Sequence, residues 1–390
     1  MSFDYTLEQK STWLPKGRPQ PPFGPTAIEV MRSCLLRSFF DYSPGYERRM
    51  GVAARIGTAM HKALQSFTDQ PFRSAEIEKI AGEAQRRFYI ELESQKTQAA
   101  ERPRESTLLW DPVRINRALE AVIVEAIRTQ DHNKTRESKD YNIKEPINQG
   151  FSSGEAFVSR STTLHMPASE VPVQSKDGYI RGRIDRAEVI PEGIRLIDYK
   201  SANRDDIPER YIRQLQLYAF LWYETFGEWP IDAQIYYPLK GTFYDIPVNE
   251  SICRQVAAEA DALIKRVASI TRPKKAAIPG DTCKVCDYRP WCRPFWTWQS
   301  AEVNLVKAKE KASIGFEGQI ENIRLVEHYW RLIINWKRLK IRLIVPQERF
   351  PHLVNANAGQ LLRILDAPLK GALNQPTIQV FDTTEIFLVV

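Results

Sequence analysis

Two carboxylates and an amine stand close together in the middle of the 390-residue chain. Asp185 lies in Gly182-Arg183-Ile184-Asp185-Arg186, and Asp198-Tyr199-Lys200 follows thirteen residues after it. On a strand, side chains alternate between faces, so Asp198 and Lys200 project one way and Tyr199 the other. An acid and an ammonium about 7 Å apart on one face can serve a divalent metal and its water together, and the Tyr199 carbonyl is a further oxygen ligand. Hairpin register decides whether Asp185 joins them. A four-residue loop over residues 190–193 pairs Val189 with Ile194, Ala187 with Leu196 and Asp185 with Asp198. A slip by one residue would put Arg186 opposite Asp198 instead. The apolar pairs favour the first register on their own. Taken alone, an Asp-x-Lys run is equally the polar side of a surface hairpin.

Other polar residues sit where neighbouring elements can bring them to this hairpin. His61 ends Gly57-Thr58-Ala59-Met60-His61, one turn into a helix expected to begin near Gly57. Gln214 and Tyr218 are at i and i+4 of a helix over residues 210–226, entered through Asp205, Asp206 and Pro208, and so share a face. By itself His61 reads as a satisfied interior histidine and Gln214 as an ordinary helix residue. Upstream, residues 1–25 carry five prolines and read as an extended lead-in, and Thr26 is expected to cap a helix through Phe40. Residues 75–130 are dominated by helical patterns, and strands are expected over 155–159, 170–174, 179–190, 193–200 and 232–239. A helix follows over 253–270.

The ordered set GTAMH, GRIDR, DYKSA and QLQLYAF resembles the PD-(D/E)XK nuclease superfamily, in particular its RecB-like exonuclease branch. The resemblance implies an α/β, restriction-endonuclease-like mixed sheet flanked by helices, and hydrolysis of phosphodiesters. It implies that His61, Asp185, Asp198 and the Tyr199 carbonyl bind Mg2+ or Mn2+. It implies that Asp185, Asp198, Lys200, Gln214 and Tyr218 form the catalytic set, Lys200 orienting water and Gln214 and Tyr218 positioning Lys200 and the strand. The chemistry agrees: a divalent ion screens phosphate charge and lowers the pKa of bound water, and hard oxygen ligands suit Mg2+ or Mn2+. Glu188, three residues after Asp185, stands where the family often has an acid and has no assigned role. The substrate implied is DNA, single-stranded or with free ends, in repair, recombination or defence. The alternative is a catalytically silent DNA-binding or assembly subunit.

Cys283-x-x-Cys286-x5-Cys292 supplies three thiols within ten residues. A CxxC pair alone is a zinc knuckle or a redox pair, and a tetrahedral site needs a fourth ligand, for which Cys34 is the best candidate. The arrangement is similar to the iron–sulfur staple of RecB-like nucleases in helicase–nuclease complexes and in CRISPR spacer capture. That resemblance implies a 4Fe–4S cluster on Cys34, Cys283, Cys286 and Cys292, with Zn2+ as the alternative, and a helicase or CRISPR adaptation protein as partner. Cys253 lies on a helical apolar stripe and reads as core. No phosphate-binding G-x-x-x-x-G-K-[ST] loop occurs, so any unwinding must come from a partner.

After a charged connector over 301–312, five strand-like runs fill residues 313–390, which suits an all-β, OB-like barrel. Between 329 and 342 there are five basic residues and no acid. Tyr329, Trp330 and Trp336 are candidates for base stacking, and Arg331, Lys337, Arg338, Lys340 and Arg342 for phosphate contacts. Trp330 and Trp336 have the same parity, so one or both can instead be core. The expected organisation is a 1–25 lead-in, a nuclease domain over 26–300 with a helical insertion at about 68–150, the connector, and the 313–390 barrel. A net charge of +7 is compatible with a polyanionic partner. The lack of a long apolar run excludes a membrane-spanning helix, and the few clustered cysteines point to a metal centre in a reducing cytoplasm.

Overall fold

The computed structural model describes residues 6–7, 15, 17–46, 48–102, 104–105, 108–135, 140–142, 163–165, 167–302, 315–372, 376–381 and 383–389. The chain enters as an extended strand, β1 (Thr6–Leu7), and Phe23 bridges to Ile180 before the first helix. Pro25 occupies the first position of α1 (Pro25–Ser33), which leaves Gly24, not Thr26, as the cap. Proline's fixed φ suits that position and its missing N–H costs nothing there. The expected continuous helix is broken: Cys34 is extended, at φ −166° and ψ 111°, and α2 (Leu35–Asp41) starts afresh after it. α3 (Val52–Asp69) begins five residues before Gly57.

The stretch dominated by helical patterns forms α4 (Ile77–Glu101) and α5 (Pro112–Thr135). A short antiparallel ribbon of β2 (Asp140–Asn142) and β3 (Thr163–His165) follows. The strand expected over 155–159 lies outside the described residues, as does the stretch 143–150 of the expected helical insertion.

A five-stranded mixed sheet then forms, in the order β4 (Ala168–Gln174), β5 (Arg181–Ile190), β6 (Gly193–Tyr199), β7 (Asp232–Tyr237), β8 (Thr242–Asp245). β6 and β7 are parallel, joined through α6 (Glu209–Phe226), and the other neighbours are antiparallel. α7 (Glu250–Ser269) completes this part, capped by Asn249, whose side chain accepts from Ile252 N at 3.0 Å. The β5–β6 register is the one the apolar pairs favoured, with Val189 opposite Ile194 and Ala187 opposite Leu196. Its turn is tighter than expected, because Ile190 and Gly193 are themselves paired.

Alternation along β6 and β7 gives the sheet two apolar faces. Leu196, Ala233 and Ile235 join the core made with α1, α2, α6 and α7. Ile197, Tyr199 and Tyr236 join a second core made with α3, α4 and α5. Chemistry is therefore confined to strand ends, where neither core covers the sheet.

α8 (Arg293–Glu302) leads toward the C-terminal sheet; beyond Glu302 the connector lies outside the described residues. That sheet comprises β9 (Phe316–Val326), β10 (Tyr329–Trp336), β11 (Leu339–Pro346), β12 (Leu361–Leu365), β13 (Leu369–Lys370), β14 (Thr377–Ile378) and β15 (Glu385–Val389). The last expected run is thus split. Its first piece, β14, runs parallel to β11, while its second, β15, pairs antiparallel with β12, which in turn pairs with β9. One bent segment joins both ends of the meander, so the sheet curls on itself around Phe316, Leu332, Leu343 and Leu362. β1 pairs parallel with β15, so the N-terminal lead-in contributes a strand to the C-terminal sheet, which its proline-rich sequence did not suggest. Among the described residues no helix is long and apolar enough to cross a membrane.

Candidate active site and metal centre

The β5–β6 ladder stops at Arg186–Ile197. Opposite this point on β4, Glu170 takes a positive φ of 49°, which interrupts the pleat beside Asp185. The next β6 amide, Tyr199 N, donates to Asp185 Oδ2 at 2.7 Å in place of a backbone carbonyl. Asp185 and Asp198 therefore meet at an opened strand end, and not side by side on one regular face as the register alone implied. On the other edge, Lys200 N donates to Tyr236 O at 2.9 Å. A trans peptide points its N–H and C=O in opposite directions, so the Tyr199 carbonyl turns away from β7 toward the β5 side, where Asp185 sits.

Side chains from α3, α6 and the residue just after β6 converge on the opening. His61 Nε2, from α3, is 2.9 Å from Asp185 Oδ2. Lys200 Nζ is 2.6 Å from Asp198 Oδ2 and 3.1 Å from Gln214 Oε1, on α6. Tyr218, one turn further on, packs against Gly182, where a Cβ would approach its ring to 2.6 Å. Gly57 plays the matching part on α3: a Cβ there would come within 2.2 Å of Ser201 Oγ, just after Lys200. Both motif glycines thus allow a helix to lie close against the strand that carries the acids.

Glu170 is the member that sequence reasoning missed. Its carboxylate, His61 and Asp185 bring ligand atoms within 4.8 Å of one another, a group able to hold a metal ion. Gln65 donates to Glu170 and lies 3.3 Å from His61 Nδ1, and Arg183 stands 3.7 Å from the same carboxylate. The available signal was pairing: Glu170 is the β4 residue opposite Asp185.

Electrostatics at the site call for a cation. Burial pushes the Asp198 carboxyl up to about 6, with Lys200 opposing and Asp185 adding to the rise. Burial and Asp185 also raise Glu170. Burial disfavours the His61 imidazolium, yet the Asp185, Asp198 and Glu170 carboxylates outweigh it and raise its pKa. The same contest leaves Lys200 above the ordinary amine value. Burial raises the Tyr218 phenol, which stays protonated. His61 Nε2 and Asp198 Oδ2 are buried with no well-directed hydrogen bond despite their short distances to Asp185 and Lys200. Crowded carboxylates with orphaned lone pairs are relieved by a hard divalent ion, so the residues present fit Mg2+ or Mn2+.

The model of the PD-(D/E)XK nuclease superfamily matches residues 22–293. The chain belongs to the PD-(D/E)XK nuclease superfamily. No curated protein matches it. Solved structures with a likeness include SSO0001, at 12% identity over 69% of this chain and 95% of that one, with a TM-score of 0.24. The tetrameric p202 HIN2 matches at 9% identity over 23% and 49%, with a TM-score of 0.19. The p204 HINb domain matches at 12% over 25% and 51%, with a TM-score of 0.20. The chain spans about half the length of these two HIN structures, and likenesses this low carry no argument.

The superfamily match ends at the cysteine loop. Cys34, at the break between α1 and α2, lines one pocket with Cys283, Cys286 and Cys292, beside Arg37 and Phe40. All five cysteines are free, and Cys253 is core as expected. Burial raises the thiols of Cys283, Cys286 (to about 11) and Cys292, and at Cys292 the three other sulfurs of the pocket add to the rise. A metal centre would reverse that direction by binding thiolate.

In the C-terminal sheet of this PD-(D/E)XK protein the stacking set needs correction. Trp330 and Trp336 are buried in the core of the curled sheet, with Leu332 and Ile334 between them, so they offer no ring to a base. Strict alternation sends Tyr329 and Arg331 outward instead, and on β11 Lys340 and Arg342. Lys337 and Arg338 are exposed in the β10–β11 turn. Lys340 is paired with Glu321 at 2.6 Å. Arg324, on β9 directly opposite Arg331, joins this exposed face and was not foreseen, because its own run holds acids as well.

Proposed function

We propose that this protein is a metal-dependent DNA nuclease of the RecB-like branch, acting on single-stranded or end-exposed DNA. The observation that carries the reading is the opened end of β6, where Asp198 and Lys200 meet His61 from α3, Asp185 from β5 and Gln214 from α6. His61, Asp185, Asp198 and the Tyr199 carbonyl would hold Mg2+ or Mn2+, with Glu170 able to complete the shell. When bound, the ion supplies charge neutralisation at the phosphate and a water of lowered pKa.

The remaining work falls to the chain's own residues. Asp185 fixes the Tyr199 amide and so the end of β6. Lys200 donates to Gln214, pairs with the Asp198 charge, and keeps hydrogen for the attacking water or a phosphate oxygen. Its positive charge stands where negative charge develops on phosphorus, and its burial makes that charge count for more than it would in water. Gln214 holds Lys200, and Tyr218 holds α6 against Gly182.

The cysteine pocket supports a 4Fe–4S cluster on Cys34, Cys283, Cys286 and Cys292. Four thiols lining one pocket suit an iron–sulfur centre or a tetrahedral zinc, and the spacing shared with the RecB-like staple favours the cluster. We read residues 26–300 as the nuclease domain and 313–390 as an OB-type barrel, supported by the β9-β10-β11-β14/β15-β12-β9 circuit. Tyr329, Arg331, Lys337, Arg338, Lys340, Arg342 and Arg324 would follow a single strand. A helicase or CRISPR adaptation protein remains the partner this reading implies.

The test is digestion of end-labelled single and double strands with Mg2+, Mn2+ or chelator, alongside iron and zinc analysis of the purified protein. Metal-dependent cleavage is expected in the wild type and is lost in Asp198→Ala and Lys200→Ala, with Asp198→Ala binding strands as well or more tightly. Wild-type protein that binds strands without cutting them would make it the silent assembly subunit. Zinc without iron would replace the cluster.

A further inference from the structure

Lys200 is held from three directions, and the third holder belongs to none of the motifs above. Besides Asp198 and Gln214, the Tyr211 ring faces its ammonium, with Nζ 4.7 Å from the ring centroid. Tyr211 lies in the first turn of α6, three residues before Gln214 and seven before Tyr218, so the three share one helix face. Arg210 Cζ stands 4.9 Å from the same centroid, and Arg210 Nη2 donates to the Tyr211 hydroxyl at 3.3 Å, which steadies the ring.

An ammonium has three hydrogens to place. Gln214 Oε1 accepts one at 3.1 Å, while Asp198 Oδ2, 2.6 Å from Nζ, pairs with the charge without a well-directed hydrogen bond. The Lys200 side chain is only 15% exposed, so little water is available to the rest. An aromatic face attracts a cation without being a strong hydrogen-bond acceptor. It therefore stabilises the ammonium while leaving its remaining hydrogens ready for a better acceptor. With the ring removed, the two nearby carboxylates, Asp198 and Asp185, are the dominant attraction, and the amine would settle between them and away from the opening.

We infer that Tyr211 is a positioning residue for phosphodiester cleavage, its ring holding Lys200 at the mouth of the site with hydrogen left to donate. The inference rests on the nuclease reading and deepens it. Its test is the single-turnover cleavage rate of a labelled strand at saturating full-length protein with Mg2+. Tyr211→Phe keeps the ring and should stay within about twofold of wild type. Tyr211→Leu and Tyr211→Met keep apolar bulk without a π face, so misfolding of one leaves the other to decide. Each should be slower by about tenfold, with strand affinity and melting temperature unchanged.

Wild-type rates in both apolar variants would overturn the inference. So would a loss that resides in strand affinity, which would make the ring a DNA contact. A Phe variant as slow as Leu would overturn it too, and assign the effect to the hydroxyl and Arg210. Wild-type protein that cuts nothing would remove the nuclease reading itself, and this inference with it.

Discussion

Gly57 and Gly182 are small because the site is assembled by close approach. A methyl group on Gly57 would meet Ser201 Oγ and Cβ at 2.2 and 2.7 Å, and one on Gly182 would meet the Tyr218 ring. Neither glycine has a positive φ, so space and not backbone freedom is what each position requires. Gly57→Ala should destabilise the fold by about 1–3 kcal/mol, the usual cost of overpacking. Because both clashing atoms belong to the Ser201 side chain, Ser201→Gly in the same background should recover most of that loss in a denaturant titration. Failure to recover would place the strain elsewhere on α3. Residue identity at these points was visible in GTAMH and GRIDR, yet their partners were not, since Ser201 and Tyr218 become neighbours only when helices cross the sheet.

Strand alternation is the element-scale rule that corrected the C-terminal reading. Trp330 and Trp336 share a parity with Leu332 and Ile334, and that parity faces the core of the curled sheet. The outward parity carries Arg324, Arg331 and Arg342 on three adjacent strands, with Arg324 opposite Arg331 and Arg342 opposite Ile333. Arg324 and Arg331, like charges directly opposite on one face, repel each other, and a polyanion would relieve that repulsion. Replacing all three with Gln should weaken single-strand binding. It should also flatten the salt dependence by about two logarithmic units per decade, at roughly 0.7 per lost contact. An unchanged salt slope would turn this face into a docking or packing surface. Stability should hardly move, because all three side chains are exposed.

The whole molecule is joined through the cysteine loop. Arg104, from the connection between α4 and α5, donates at 2.9 Å to both oxygens of Glu385 on β15 and at 2.9 Å to Asp287 O in the loop. Arg289 in the loop forks onto Asp366 at 2.7 and 2.8 Å, and Arg363 on β12 donates to Pro290 O at 2.7 Å. Phe295 and Trp296 of α8 pack with Leu365, Phe387 and Val389 of the curled sheet in one apolar cluster. Arg104 and Glu385 are both buried; burial disfavours the Glu385 carboxylate, but Arg104 and Arg49 hold its pKa below the ordinary value. Glu385→Ala should therefore cost about 3–5 kcal/mol, because the guanidinium loses its counter-charge in a dry place. Glu385→Gln, which keeps one acceptor, should cost less. Equal stability in a denaturant melt of the Ala variant would show that the loop does not need this pair. Simple removal of 313–390 would expose Trp296 and strip Arg104 of Glu385, so point substitutions on the basic face test strand binding more cleanly than truncation.

Sequence alone determined the candidate residues and their order along the chain: two acids, a lysine, a histidine, a glutamine and four cysteines, with strand period and apolar pairing enough to set the β5–β6 register. These are local properties, written in side-chain type and in spacings of two, three and four residues. Only the tertiary structure decided that Glu170 joins His61 and Asp185, that Tyr211 faces Lys200, and that helix breakage at Cys34 carries its sulfur to residues some 250 positions away. It also decided that β1 completes the C-terminal sheet. Contacts of that kind depend on how helices cross strands and where a ladder stops. Packing of the whole chain sets both, and no short window of residues contains them.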